Sequence, residues 1–137
     1  MNRTKMKNIK KIFLLLPLLF FVDCQPIFSD YDYNEKLTGK FYLSECDAYE
    51  SKFIRIDLDD TNSLALVLDV VEVVGDEYRI LVKTKDEKNK IEYRLINVYF
   101  DEYQEDVDHI SQQEYLKKKK KMSPKYYYDA EEGFVAY

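Results

Sequence analysis

Residues 52–58, KFIRIDL, set Ile54, Ile56 and Leu58 on alternate positions with Arg55 and Asp57 between them. Side chains of an extended chain point to opposite faces in turn, so this period of two fits a half-buried β-strand and no face of a helix. Similar short runs recur along the chain. LTGKFYL (37–43) alternates and is rich in aromatics, and LALVLDVVEVV (64–74) is nearly all apolar, with Asp69 and Glu72 marking exposed points or a bulge. YRILVKT (78–84) turns Tyr78, Ile80 and Val82 inward, and IEYRLINVYF (91–100) follows. Between them, VGDEY (74–78) supplies a Gly-Asp turn and KDEKNK (85–90) a charged loop. No long helical pattern separates these strands, which excludes a parallel βαβ sheet. The expected fold is mainly β (α+β): a small antiparallel meander, a curled sheet or barrel of about five strands, with one C-terminal helix.

The helix has the sharpest local signal. In HISQQEYLKKKKKMSP (109–124), Ser111 is a natural N-cap, Glu114 stands at N3 of a capping box, and Ile110 and Tyr115 occupy the two positions of a hydrophobic staple. The spacing predicts a helix near residues 112–122, stopped by Ser123 before Pro124, with Tyr115, Leu116 and Met122 available to pack on the sheet. Lys117 to Lys121 lie at the C-terminal end, where the helix dipole favours cations. Five consecutive residues step about 100° each, so these lysines face every direction and some must lie with their stems over the sheet. A lipid-binding face would repeat at three and four instead, and the run reads as a solvated helix end rather than a contact with anionic headgroups. The tail KYYYDAEEGFVAY (125–137) is aromatic enough to dock as a short strand on a sheet edge.

Ahead of the strands lies a different kind of chain. Residues 1–11 carry five positive charges, and residues 12–22 are an apolar run of eleven residues. As a helix that run reaches ~16 Å, short of a ~30 Å hydrocarbon core, so it fits a secretory signal better than a permanent span. No small-residue cleavage site of the A-x-A kind follows it. Cys24 placed directly after the run resembles instead the signal of bacterial lipoproteins, in which that thiol receives diacylglycerol and the preceding peptide bond is cut. Asp23 stands where such signals carry Gly, Ala or Ser. The division expected from this is a signal over 1–23, a flexible tether over 24–36 and a single β-rich domain over 37–137, with lipidation at Cys24 anchoring the chain to a bilayer in the cell envelope. An uncleaved leader and a Cys24 to Cys46 disulfide remain the alternatives. Cys46, among acidic neighbours at a strand end, reads as a passive half-buried thiol.

Residues 25–137 hold 16 basic and 25 acidic side chains, so the part beyond the leader is acidic. Such a domain is repelled by phosphate backbones unless a local basic patch overrides the field, which makes nucleic acid a poor default partner and favours a basic protein. The densest acidic stretch, DEYQEDVD (101–108), offers Asp101, Glu102, Glu105, Asp106 and Asp108 as a candidate partner-binding loop. DLDDTNS (57–63) opens like a calcium loop, but Asn62 stands at the sixth place and Leu68 at the twelfth, where Gly and Glu are required. It reads as a hairpin loop. With His109 as the only histidine, a multi-histidine zinc site is impossible, and no serine or cysteine lies in a nucleophile motif. No catalytic residue, metal or cofactor is expected.

The order of leader, LTGKFYL, the hairpin VVEVVGDEYRILVKT and HISQQEYLKKKKK resembles a family of small bacterial lipoproteins of unknown function. In these a G-x-Y-like first strand, an I-x-V-K-like hairpin strand and an I/L-S-x-x-E-Y/F helix recur. The likeness spans residues 37 to about 122 and implies export and fold more than activity. The expected function is a membrane-anchored, non-enzymatic domain that binds a protein or an envelope polymer. The first alternative is an inhibitor or immunity protein against a basic toxin or hydrolase. The second is a small hydrolase or ligand-binding barrel, which needs a polar enclosed pocket where the inward Ile54, Ile56, Ile80 and Val82 are apolar.

Overall fold

The computed structural model describes residues 32–46, 49–98 and 107–137. They form nine antiparallel strands and one helix: β1 (Tyr33–Thr38), β2 (Phe41–Cys46), β3 (Tyr49–Asp57), β4 (Ser63–Gly75), β5 (Arg79–Lys85), β6 (Ile91–Asn97), β7 (Val107–Ile110), α1 (Gln112–Lys121), β8 (Tyr126–Asp129) and β9 (Gly133–Ala136). β1 to β7 follow one another across the sheet in chain order, a meander, while β8 pairs with β4 and β9 with β8. The strand count therefore exceeds the five expected. One of the additions comes from the N-terminal side. β1 begins at Tyr33, inside the stretch expected to be tether. LTGKFYL is also two strands rather than one, because Gly39, at a φ of 54°, makes a two-residue turn between the paired Thr38 and Phe41.

β4 is the trunk of the sheet. Its first half pairs with β3, from Asp57↔Ser63 to Lys52↔Val70. Its last four residues pair on one edge with β5 and on the other with β8, where Val73 faces Tyr128 and Gly75 faces Tyr126. Two irregularities allow this exchange of neighbours. Between Val67 and Val70 the register with β3 slips, and Asp69 there takes a φ of 56° while its carboxylate accepts the Ser51 hydroxyl at 2.8 Å. Val71 is the extra residue against β5, and its carbonyl accepts the Ala130 N–H at 3.0 Å from beyond β8. The expected bulge at Asp69 is present. Glu72 instead points inward, its side chain only 13% exposed.

The two sheet faces bury different things. Phe41, Leu43, Ile54, Ile56, Val73, Ile80, Val82 and Ile96 share one continuous core with Tyr126 and Tyr128. Leu37 and Phe41 from the β1–β2 end belong to the same core as Val98, and the Thr38 hydroxyl reaches the Glu77 carbonyl of the β4–β5 turn at 3.2 Å, so the sheet curls over itself. Among the described residues nothing pairs β1 with β7, so the curl is not closed into a barrel. On the other face Val74, Leu81 and Leu95 receive Tyr115 and Met122 from α1, with Ile110 packed beside them as the staple requires. Inward Ile80 and Val82 match expectation, whereas Tyr78 is 61% exposed because the Asp76 turn claims it. Leu58, expected inward, also lies outside, beyond the end of β3.

Gly75 shows how tightly the tail is fitted. Tyr126 lies across the backbone of its cross-strand partner, and a Cβ at Gly75 would overlap its ring. Since Tyr126 is buried and its ring cannot step aside, Gly75→Ala is expected to destabilise the fold by about 1–3 kcal/mol. Urea denaturation measures this, and a midpoint equal to that of the parent chain would show that the β8 contact yields.

Candidate functional site

Three groups of polar side chains stand out, and they differ in what they leave available. The first joins the helix and the tail to the trunk. Glu72 of β4 accepts the Tyr115 hydroxyl at 2.5 Å, Lys119 Nζ at 3.0 Å and the Tyr127 hydroxyl at 3.4 Å. Lys119 also lies over the Tyr127 ring. Burial, then the hydrogen bond to Glu72, raise the Tyr115 pKa far above the ordinary phenol, and burial with the Glu72 charge pushes Tyr127 up to about 12. A phenol so held donates and does not ionise, so this cluster acts as a tie.

The second group sits where β1, β2 and β3 lie side by side. Arg55, 5% exposed, donates from Nε to Ser44 Oγ at 3.0 Å, from Nη2 to Asn34 Oδ1 at 3.0 Å and from Nη1 to the Asp57 carboxylate, and it stacks on Tyr42. Ser44 in turn donates to Asn34 Oδ1 at 2.9 Å. The second face of β3, expected to be wet, is thus buried around a satisfied guanidinium. This too is a tie, between the early strands.

The third group faces solvent. Ser111, Gln113, Glu114, Lys117, Lys118 and Lys121 line one flank of α1, and with Arg79 from the start of β5 they bound an open groove of about 740 Å³. The helix divides its own lysine run. Lys119 turns in to Glu72, whereas Lys117, Lys118 and Lys121 fall with Ser111 and Glu114 on the spacing of three and four that makes one stripe. Ser111 caps the helix by accepting the Glu114 N–H at 3.1 Å, and the Glu114 carboxylate lies 3.7 Å from Lys118 Nζ. Arg79 pairs with Asp76 at 3.1 Å. Partial burial opposes ionisation of Asp76, but the Tyr78 and Arg79 N–H groups and the Arg79 side chain hold its carboxyl below the ordinary range. Four cations therefore meet one lining carboxylate, and Lys117 and Lys121 have no ion pair among the described residues.

The residues singled out from sequence are placed as follows. Cys24, Asp101, Glu102, Glu105 and Asp106 lie outside the described residues. Asp108 is exposed on β7 opposite Leu95, and His109 is exposed beside it. Cys46 is buried at the end of β2. In the β3–β4 loop the Asp59 carboxylate accepts from both Asn62 and Thr61, including their N–H groups at 2.8 Å each, and the Asn62 side chain and Thr61 bring its pKa down to about 2. That carboxylate is engaged by its own hairpin, as the loop reading requires. Among the described residues no three His, Cys, Asp or Glu side chains converge as metal ligands, and no helix is long and apolar enough to cross a membrane. Comparison with protein-family models, with curated proteins and with solved structures gave no match.

Two measurements address the Glu72 tie. Tyr115→Phe removes a buried hydrogen bond to a carboxylate and is expected to lower stability by about 1.5–3 kcal/mol, read from denaturant unfolding; a loss within error would place the helix under packing control alone. Tyr33, through burial and then Glu35, and Tyr127 are both pushed up to about 12, while burial raises Tyr115 and Tyr126 further still. A raised folded-state pKa favours the protonated fold, so this contribution is complete below the ordinary tyrosine pKa near 10 and is lost as pH rises through 12. Alkaline titration should accordingly show a late tyrosinate step that coincides with loss of the strand circular dichroism. Ionisation of every tyrosine with the sheet intact would contradict the burial of these rings.

Proposed function

We propose that this chain is a lipid-anchored protein of the cell envelope whose β domain binds a partner at its surface and catalyses no reaction. The reading rests on the groove along α1. Among the described residues, the polar side chains around Glu72 and around Arg55 bond to one another inside the fold, whereas those of the groove face outward together. Recognition sites of this open kind hold charge and shape; chemistry usually calls for an enclosed, water-poor pocket.

The anchor is Cys24. It precedes Asp32, where the described fold starts, by eight residues, and eight extended residues span at most ~29 Å. A lipidated Cys24 would keep the domain within about that distance of the bilayer. The resemblance to small bacterial lipoproteins supports the same reading through the helix motif, since Ser111, Glu114 and Tyr115 fill the cap, N3 and packing roles that the motif implies.

Intact mass of the protein recovered from its native membrane fraction tests the anchor. The expected species is residues 24–137 carrying a diacylglyceryl group, with or without a further N-acyl chain. An unmodified Cys24 would remove the lipoprotein reading.

A further inference from the structure

The groove is cationic in a chain that is otherwise acidic. Arg79, Lys117, Lys118 and Lys121 are four of the 16 basic side chains in residues 25–137, gathered on one flank against the single lining carboxylate of Glu114. The described residues hold all 16 of those basic side chains and 19 of the 25 acidic ones, so their surface outside the groove is net negative. A negatively charged plane would attract this one flank and repel the remainder, which orients the molecule as well as attracting it.

From these observations we infer that the groove along α1 docks the anionic phosphate headgroups of the bilayer to which the chain is tethered. The donor set suits phosphate. Lys117 and Lys121 are one turn apart, ~6 Å along the helix, and act as point charges, while Arg79, paired with Asp76, adds a guanidinium to the lining. Ser111 adds a hydroxyl at the mouth. Lys117 and Lys121 carry no intramolecular ion pair among the described residues, so contact with a headgroup breaks none there. Each cation close to an anionic leaflet strengthens association roughly fivefold, too little for a free domain but sufficient for one already held at the surface. The inference rests on the membrane-tethered reading for its choice of phosphate source.

The experiment uses the full chain reconstituted in phosphatidylcholine vesicles, with or without phosphatidylglycerol. Acetylation rates of individual lysines are read by peptide mass spectrometry, with exposed Lys88 of the β5–β6 loop as reference. Lys117, Lys118 and Lys121 are expected to be protected about fivefold or more when phosphatidylglycerol is present, Lys88 is expected to be unchanged, and high salt should abolish the difference. Arg79→Gln should weaken the protection without moving the reference. Equal rates in the two vesicle types, with the chain still vesicle-bound, would overturn headgroup docking. Protection by inorganic tripolyphosphate with none from phosphatidylglycerol would overturn it in favour of a soluble oligophosphate. The anchor is read separately by intact mass: an unacylated chain whose groove lysines are nevertheless protected by added phosphatidylglycerol vesicles would sink the tether and leave the docking site standing.

Discussion

Strand β4 has more edge than any one neighbour can cover. Its thirteen residues present backbone donors and acceptors along both sides, and each buried group left unpaired costs about as much as a lost hydrogen bond. β3 follows one edge past the Asp69 bulge as far as Val70 and then departs, so the remaining residues need another partner. Tyr126 to Asp129 supply it. Docking of the tail, the inward turn of Glu72 and the seat of α1 all follow from that exchange. Glu72 sits where β5, β8 and the helix meet, and its carboxylate is the acceptor common to Tyr115, Lys119 and Tyr127.

The sequence made local features plain and long-range ones obscure. The helix was legible because its cap, its staple and its stop are adjacent in the chain, and the Ser111 to Glu114 hydrogen bond is where the spacing puts it, although it ends one residue early and Leu116, expected to pack, is exposed. Inward Ile54, Ile56, Ile80 and Val82 followed from alternation. Tyr33 to Lys36 resembled a tether because edge strands are polar on both faces, and polarity without an apolar side carries no period to read. The Gly39 turn was visible as a glycine, yet the flanking aromatics made the stretch look continuous. Arg55 gave no sign of burial, since Asn34 and Ser44, which satisfy it, come from two other strands. The groove was hidden for the same reason. Its lysines were noticed as a run, but their division between Glu72 and the groove, and the addition of Arg79, depend on how the helix lies across β5.

Charge is used in two distinct ways in this molecule. Inside, Glu72 and Arg55 are surrounded by partners that take up their hydrogen-bonding capacity, and such groups act as fasteners whose loss is felt as instability. Outside, α1 arranges cations by helical spacing with few counter-charges, and such groups remain open to whatever anion is near. Nearby residues of one lysine run serve both ends: Lys119 fastens to Glu72 while Lys117 and Lys121 face the groove.

The late arrival of β8 also shapes how the chain reaches its fold. β1 to β7 can zip together as successive hairpins, each closing a short loop, but the pairs between β4 and β8 join residues more than fifty positions apart. Until then the end of β4 is a bare apolar edge, a template for another chain as much as for its own tail. A polypeptide made N-terminus first would carry that edge exposed while the intervening strands and helix emerge. The aromatic hairpin of β8 and β9 is thus a seal against pairing between neighbouring chains, and crowding of incompletely folded chains, more than heat, is the condition under which a faulty seal would first be felt.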